Sequence, residues 1–325
     1  MSELKEIFSS SRSRILLFLL ILGIAGPVFL GEYLIHVLIM ILLYGYLGQC
    51  WNILGGYAGQ FSFGHAAFFG VGGYFSTYMY VKFQLSPWIG LFLGAVLAMV
   101  LGLLIGYLSF RYGLKGLFFA LLTMACSETL RILAQNWMLG KSAGILIPLQ
   151  GSNPLNFQFD KKIFYYYVVL AMMIFISLVA HKIEHSPLGH KFKSIREDEE
   201  AAETIGINTM KYKLIAIGIS AFTTALGGTF YAQYILFIDP HIAFGTNITI
   251  EMILRPILGG YGTVFGPLIG SVILTPISEI PKYILPYAMG IDLIVYGIII
   301  IITIMFMPNG ILGLFERFRK GVSTN

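Results

Sequence analysis

Long apolar runs recur along this chain from Ile15 almost to Met307, broken once by a charged segment at 181–213. A membrane-crossing helix needs about 20 consecutive, mostly apolar residues. On that measure the pattern predicts spans near 15–30, 33–55, 63–81, 88–110, 116–135 and 163–180. After the charged segment it predicts further spans near 212–238, 248–259, 264–280 and 288–307. The stretches 248–259 and 264–280 are short for full spans and are punctuated by glycine and proline. The expected fold class is all-α: a polytopic transmembrane bundle of about 8–10 spans, some short or broken. A single membrane domain, 1–325, accounts for the chain. The first run follows Arg12 and Arg14 as a signal peptide would, but no A-x-A-type site follows it and further spans do, so it reads as a retained helix.

Lysine and arginine mark the side that faces the cytoplasm. They collect at the N-terminus (Lys5, Arg12, Arg14), in the long loop (Lys182, Lys191, Lys193, Arg196, Lys211, Lys213) and in the tail (Arg317, Arg319, Lys320). The predicted crossings put these three regions on one face, with Arg111 and Lys115; the loop 136–162 falls opposite. Both termini and the loop are therefore expected to be cytoplasmic. Within the loop, Ser194 and Glu197 fit an S-x-x-E capping box and Gly206 is a natural stop, so 194–206 is expected to form one short helix. Ser186-Pro187 suits the start of another. Ala201, Ala202 and Ile205 form a small apolar stripe flanked by Asp198, Glu199, Glu200 and Glu203. A solvated loop helix and a docking helix both satisfy that pattern.

Composition sharpens the class: 57% of residues are hydrophobic and 11% charged, against roughly a quarter charged in soluble domains. The net charge of +5 does not suggest nucleic acid, because the basic residues sit in short loops and at both ends. Cys50 and Cys126 both fall in apolar stretches, which indicates neither a disulfide framework nor a metal site. His181, His185 and His190 fall close together near a span end, but i,i+4 and i,i+5 spacing in a basic loop is thin evidence for metal, so no metal is expected, and no cofactor. There is no G-x-x-x-x-G-K-[ST] loop; Gly140-Lys141-Ser142 resembles its tail, but Gln135 stands at the first glycine position. With no H-E-x-x-H either, no enzyme is expected.

A charge at mid-bilayer costs roughly 2.5–3.5 kcal/mol on insertion scales, which makes each one a site candidate. Glu128 and Arg131 are spaced to pair on one helix face, as are Glu251 and Arg255; Asp292 and His65 complete the set. Self-neutralised structural pairs and a polar lining for a zwitterionic solute both fit. The glycine-dense stretch 51–74 suits broken helices around a path as well as tight packing. Gly55-Gly56-Tyr57 and Gly259-Gly260-Tyr261 each precede a glycine-rich span, which a duplication or coincidence would explain. The candidate path comprises Gly56, Gln60, His65, Glu128, Arg131, Glu251 and Arg255.

Several blocks carry a resemblance. They are Trp51–Tyr74; Gly116–Met124 with Glu128 and Arg131; Gly189–Gly206, including Glu200-Ala201-Ala202-x-x-x-Gly206, followed by Lys213; Gly259–Gly270; and Pro308–Gly313. In this order they resemble the permease family of branched-chain amino-acid (Leu/Ile/Val type) ATP-binding-cassette importers, the longer of two sister permeases in particular. The resemblance implies a coupling helix in the loop, with Gly189, Arg196, Glu199, Glu200, Ala201, Ala202 and Gly206 meeting an ATPase. It also implies separate ATPase subunits, a second permease, an external solute-binding protein, a hydrophobic amino-acid cargo and a bacterial inner membrane with its lipid. Two places depart from the family: Gly140–Gly144 stands where a threonine-glycine-glycine cluster is usual, and Arg255-Pro256 where residues are usually apolar. An ion-coupled transporter using Glu128, Glu251 or Asp292 is the alternative, and an intramembrane enzyme using His65 a more distant one.

Overall fold

The computed structural model describes residues 23, 26–137, 140–284, 297 and 310–313. The spans expected at 288–307 and over most of 15–30 lie outside them, as does Asp292. The described residues are mostly helical, with one two-residue strand pair. Its helices are α1 (Glu32–Asn52), α2 (His65–Phe83), α3 (Pro87–Arg111), α4 (Gly116–Trp137), α5 (Lys162–Glu184), α6 (Pro187–Glu197), α7 (Glu199–Thr204), α8 (Thr209–Ile235), α9 (Pro240–Ala243), α10 (Thr246–Gly259) and α11 (Gly266–Ile284). Five segments are long and apolar enough to cross a membrane: Glu32–Tyr57, Pro87–Arg111, Gly116–Asn136, Lys162–Glu184 and Thr209–Ile235. Each starts and ends within a few residues of its expected bounds, because the apolar runs themselves are sharply delimited.

Small residues set the packing. Helix α8 crosses α2 with almost no side chain between them: a Cβ on Gly228 would lie 2.0 Å from the Phe69 carbonyl oxygen, and one on Gly72 would lie 2.2 Å from that of Ala225. Backbones can approach this closely only where side chains vanish. Thr229 then donates its hydroxyl to the Gly72 carbonyl at 3.0 Å. Helix α3 lies along both, its Gly102 against Ala221 and its Gly94 against Gly72. On the other flank α11 leans on α1, where Ser271 donates to the Ile41 carbonyl at 2.5 Å. The buried core, including Trp51, Phe68, Phe69 and Phe230, fills the gaps between these crossings.

Between α1 and α2 the chain makes a π-helical turn, Ile53–Tyr57, and then runs without helix through 58–64. Irregular backbone inside a membrane bundle is viable only where protein satisfies it. Here side chains from three helices do so. Trp51 Nε1 donates to the Ser62 carbonyl at 2.8 Å, Phe63 N to Thr123 Oγ1 at 3.2 Å, and Ala66 N to Thr249 Oγ1 at 2.9 Å. At the end opposite α6 and α7, the loop after α4 pairs with the turn after α8, Ile145 against Ile238 and Leu146 against Phe237.

Candidate functional site

The charged loop folds as an elbow of two helices. Ser186 accepts from Gly189 N at 3.3 Å and Pro187 occupies the first turn, so α6 starts there. Its Gly189, Phe192 and Ile195 face inward. A Cβ on Gly189 would lie 2.0 Å from the Ile183 carbonyl oxygen, so that position admits only glycine at this closeness. The break falls at Asp198, whose extended backbone (φ −155, ψ 111) ends α6 and whose carboxylate accepts from Glu200 N and Ala201 N, both at 3.0 Å, to start α7. Gly206, at φ +84, stops it, with Ile207 N donating back to the Ala202 carbonyl at 3.0 Å.

This corrects the single helix expected over 194–206. Ser194 lies inside α6, its hydroxyl donating to the His190 carbonyl at 3.0 Å. The inward triplet carries α6 past it, and Asp198 supplies an N-cap at least as good as serine.

The elbow has an inner and an outer side. Ala202 is buried, while Ala201 is exposed and Ile205 stands 74% exposed. The expected stripe is therefore split between the bundle and the outside. The acids divide in the same way. Glu199 Oε1 accepts from Lys213 Nζ at 2.6 Å; this ammonium is 3% exposed and also lies 4.6 Å from the Phe110 ring centroid. Lys115, at the start of α4, stands 3.8 Å from both Glu199 and Glu200. Thr209 donates to Glu203 at 2.5 Å. Only Glu200, with 88% of its side chain exposed, points fully outward among these three acids. Glu199 thus pins α7 to α8 and the α3–α4 turn.

Arg196 closes the elbow against the bundle. Its Nη1 donates to the Gly56 carbonyl at 2.8 Å, and its guanidinium sits 5.9 Å from the Tyr261 ring centroid. A Cβ on Gly59 would lie 2.7 Å from Arg196 Cγ, which adds close packing to the polar link. The two Gly-Gly-Tyr segments meet here. Tyr261 donates its hydroxyl to the Gly55 carbonyl. Asn52 accepts from Gly262 N and donates to the Thr263 carbonyl, each at 2.9 Å. Arg196 therefore touches the end of α1 and the α10–α11 turn at once.

The candidate path residues do not form one cluster. Gly56 belongs to the hub just described, and Gln60 to the irregular stretch above it. His65 is buried, with Nε2 2.7 Å from Ser220 Oγ and Nδ1 3.2 Å from Ser62 Oγ. Arg255 is wholly buried, ion-paired with Glu251 and 4.1 Å from the Tyr44 ring centroid. Glu128 and Arg131 pair on a partly exposed face of α4, where Arg131 Nη1 lies 3.3 Å from His241 Nδ1. A recess of about 600 Å³ at the end opposite the elbow is lined in part by His36, Asp160, Lys162, Tyr165 and Tyr234. His181, Glu184 and His185 bring possible metal-ligating atoms within 4.8 Å of one another on the exposed last turn of α5.

Sequence reasoning gave Asn52 no role of its own, counted Lys115 only for its charge and met Tyr261 only within a motif. Their partners lie far along the chain, and no local spacing announces them. A buried amide beside a Gly-Gly-Tyr run is the one local hint.

The family described as "Branched-chain amino acid transport system / permease component" matches residues 33–304. The chain is 26% identical over 319 residues to the high-affinity branched-chain amino acid transport system permease protein LivM of Escherichia coli K12, covering 90% of this chain and 73% of that one. It is 25% identical over 272 residues to the probable branched-chain amino acid transport permease protein LivH of Methanocaldococcus jannaschii, covering 78% and 84%. To LivH of Salmonella typhimurium it is 27% identical over 147 residues, 45% of this chain and 46% of that one. No solved structure matches it. With the match running from α1 well past α11, the chain belongs to the branched-chain amino acid transport permease family and is a multi-pass membrane protein.

Proposed function

We propose that this permease is one subunit of an ATP-binding-cassette importer in a bacterial inner membrane, with the elbow and both termini cytoplasmic. Its cargo is a branched-chain or other hydrophobic amino acid. A related permease, two ATPase subunits and an external solute-binding protein complete the machine. The observation that carries this reading is the two-sided elbow. Glu199, Glu203, Ala202 and Arg196 bind α6 and α7 to the bundle, while Ala201 and Ile205 are exposed and Glu200 keeps 88% of its side chain exposed beside Lys115. A solvated loop has no need of an outward isoleucine. A docking helix does. A two-state bundle responds only to a partner that binds its states with different affinity, so the ATP-bound ATPase pair must prefer one position of this elbow.

The test is a cysteine at Ile205 in the complete complex. It is expected to crosslink to an ATPase subunit and to lose maleimide labelling, and Ile205→Asp is expected to cut uptake at least about tenfold. A cysteine at Ala202 is expected to do neither, since Ala202 faces the bundle. Equal labelling of Ile205→Cys with and without the ATPases would reject the docking role.

A further inference from the structure

We propose that the exposed face of α4 is the seam with the second permease, and that Glu128, Arg131 and Gln135 on it line the water-filled path for cargo. The proposal rests on the importer reading above and names the surface that reading leaves open. Among the five described spans α4 is the least covered, 28% buried against 72% for α8. Bare helix faces are ordinary where they meet lipid, and two other spans show what a lipid face looks like. On α3 the exposed residues are Ile89, Phe92, Leu93, Val96, Leu97, Val100, Leu104, Tyr107 and Leu108, before the charged end. On α5 they include Phe164, Ile174, Phe175 and Leu178.

The α4 face differs. Beside exposed apolar residues that include Phe118, Ile132 and Leu133, it carries one stripe whose last three members are half-buried: Leu117, Leu121, Met124, Glu128, Arg131 and Gln135 recur at intervals of three and four. Its half nearer the elbow is apolar and its other half is polar. Glu128 lies about 18 Å along the helix from Gly116, well inside the hydrocarbon depth. The Glu128–Arg131 pair is extended by His241, 3.3 Å from Arg131 and 2.8 Å from Gln135 Nε2, which gives a polar strip on the outside of this subunit. Ionised groups inside a membrane face protein or water, not acyl chains. The strip therefore calls for a protein neighbour that leaves room for water.

Two further observations select that polypeptide. Lys115, one residue before α4, is tied to Glu199 and Glu200 of the elbow, so motion there reaches this helix directly. The relatives carry two different permease names, LivM and LivH, so the occupant is the sister permease and not a second copy of this chain. A carboxylate and a guanidinium on one strip also offer both halves of a zwitterionic amino acid a partner.

The experiment uses the complete complex with photo-crosslinking groups at Leu121 and Ile132, on the same face, and at Phe92 and Val96 on the α3 lipid face as controls. Adducts to the sister permease from α4 and none from α3 are expected. Adducts linking two copies of this chain, or lipid alone, overturn the proposal. In reconstituted complex, Gln135→Cys is expected to react with a membrane-impermeant thiol reagent, and leucine is expected to slow that reaction several-fold. Absence of reaction overturns the path assignment. Adduct formation requires neither ATP nor a correctly identified cargo, so failure of the seam is distinguishable from failure of the importer reading.

Discussion

Gly228→Leu is expected to leave no monodisperse, folded protein in detergent. At this crossing the Phe69 carbonyl occupies the place of the first side-chain carbon. Backbone cannot swing away as the end of a flexible side chain can, so α2 and α8 must separate along their length. Separation would also strip Thr229 from the Gly72 carbonyl and pull Ser220 from His65. Overpacking a close core typically costs about 1–3 kcal/mol and sometimes more. A leucine against fixed backbone belongs at or beyond the top of that range. Gly218→Ala provides the comparison, since its new methyl would meet the Leu103 side chain at 3.4 Å, an ordinary contact. Size-exclusion profiles and thermal melts of the two variants check this. A Gly228→Leu protein that melts with the parent would mean that the α2–α8 crossing is looser than its geometry.

Arg196→Ala is expected to lower uptake about tenfold or more while the complex still assembles, because the residue links α6 to both Gly-Gly-Tyr segments without occupying the outer side of the elbow. Losing a hydrogen bond from a charged group costs about 1.5–3 kcal/mol, enough to let the elbow move without carrying the ends of α1 and α10 with it. ATP hydrolysis by the complex should then persist, uncoupled from transport. Arg196→Lys is expected to rescue poorly, since a compact ammonium cannot reach the Gly56 carbonyl and the Tyr261 ring together as the broad guanidinium does. Parallel measurement of uptake and ATP hydrolysis decides it. Loss of both together would point to failed docking, and loss of neither would remove Arg196 from the coupling route.

How much of this could be read from residue order alone depended on the range of the interaction. Helix positions such as 87–111 and 162–184 follow from uninterrupted apolar runs, which are local. The elbow's existence also followed from local caps, but its break did not, because Ser194 and Asp198 are both competent N-caps and the inward placement of Phe192 and Ile195 chose between them. The inward turn of Glu199 depends on Lys213, fourteen residues on, and on the ring of Phe110. The meeting of Gly55 and Tyr261 spans 206 residues; a repeated Gly-Gly-Tyr run marks both ends, but nothing local says that they touch. The intramembrane charges were correctly paired by helical spacing, Glu128 with Arg131 and Glu251 with Arg255, yet spacing could not say that the first pair faces outward and the second inward. That distinction needs the packed bundle.

In the mechanism proposed for this permease, an ATPase on other chains drives transport through the elbow. Its most direct test is concentrative uptake of radiolabelled leucine into liposomes containing this chain, alone and then with the sister permease, ATPases and binding protein. Accumulation is predicted only for the full set with ATP, and it should vanish in the presence of Ile205→Asp. Concentrative uptake by this chain alone, driven by a proton or sodium gradient, would contradict the claim outright.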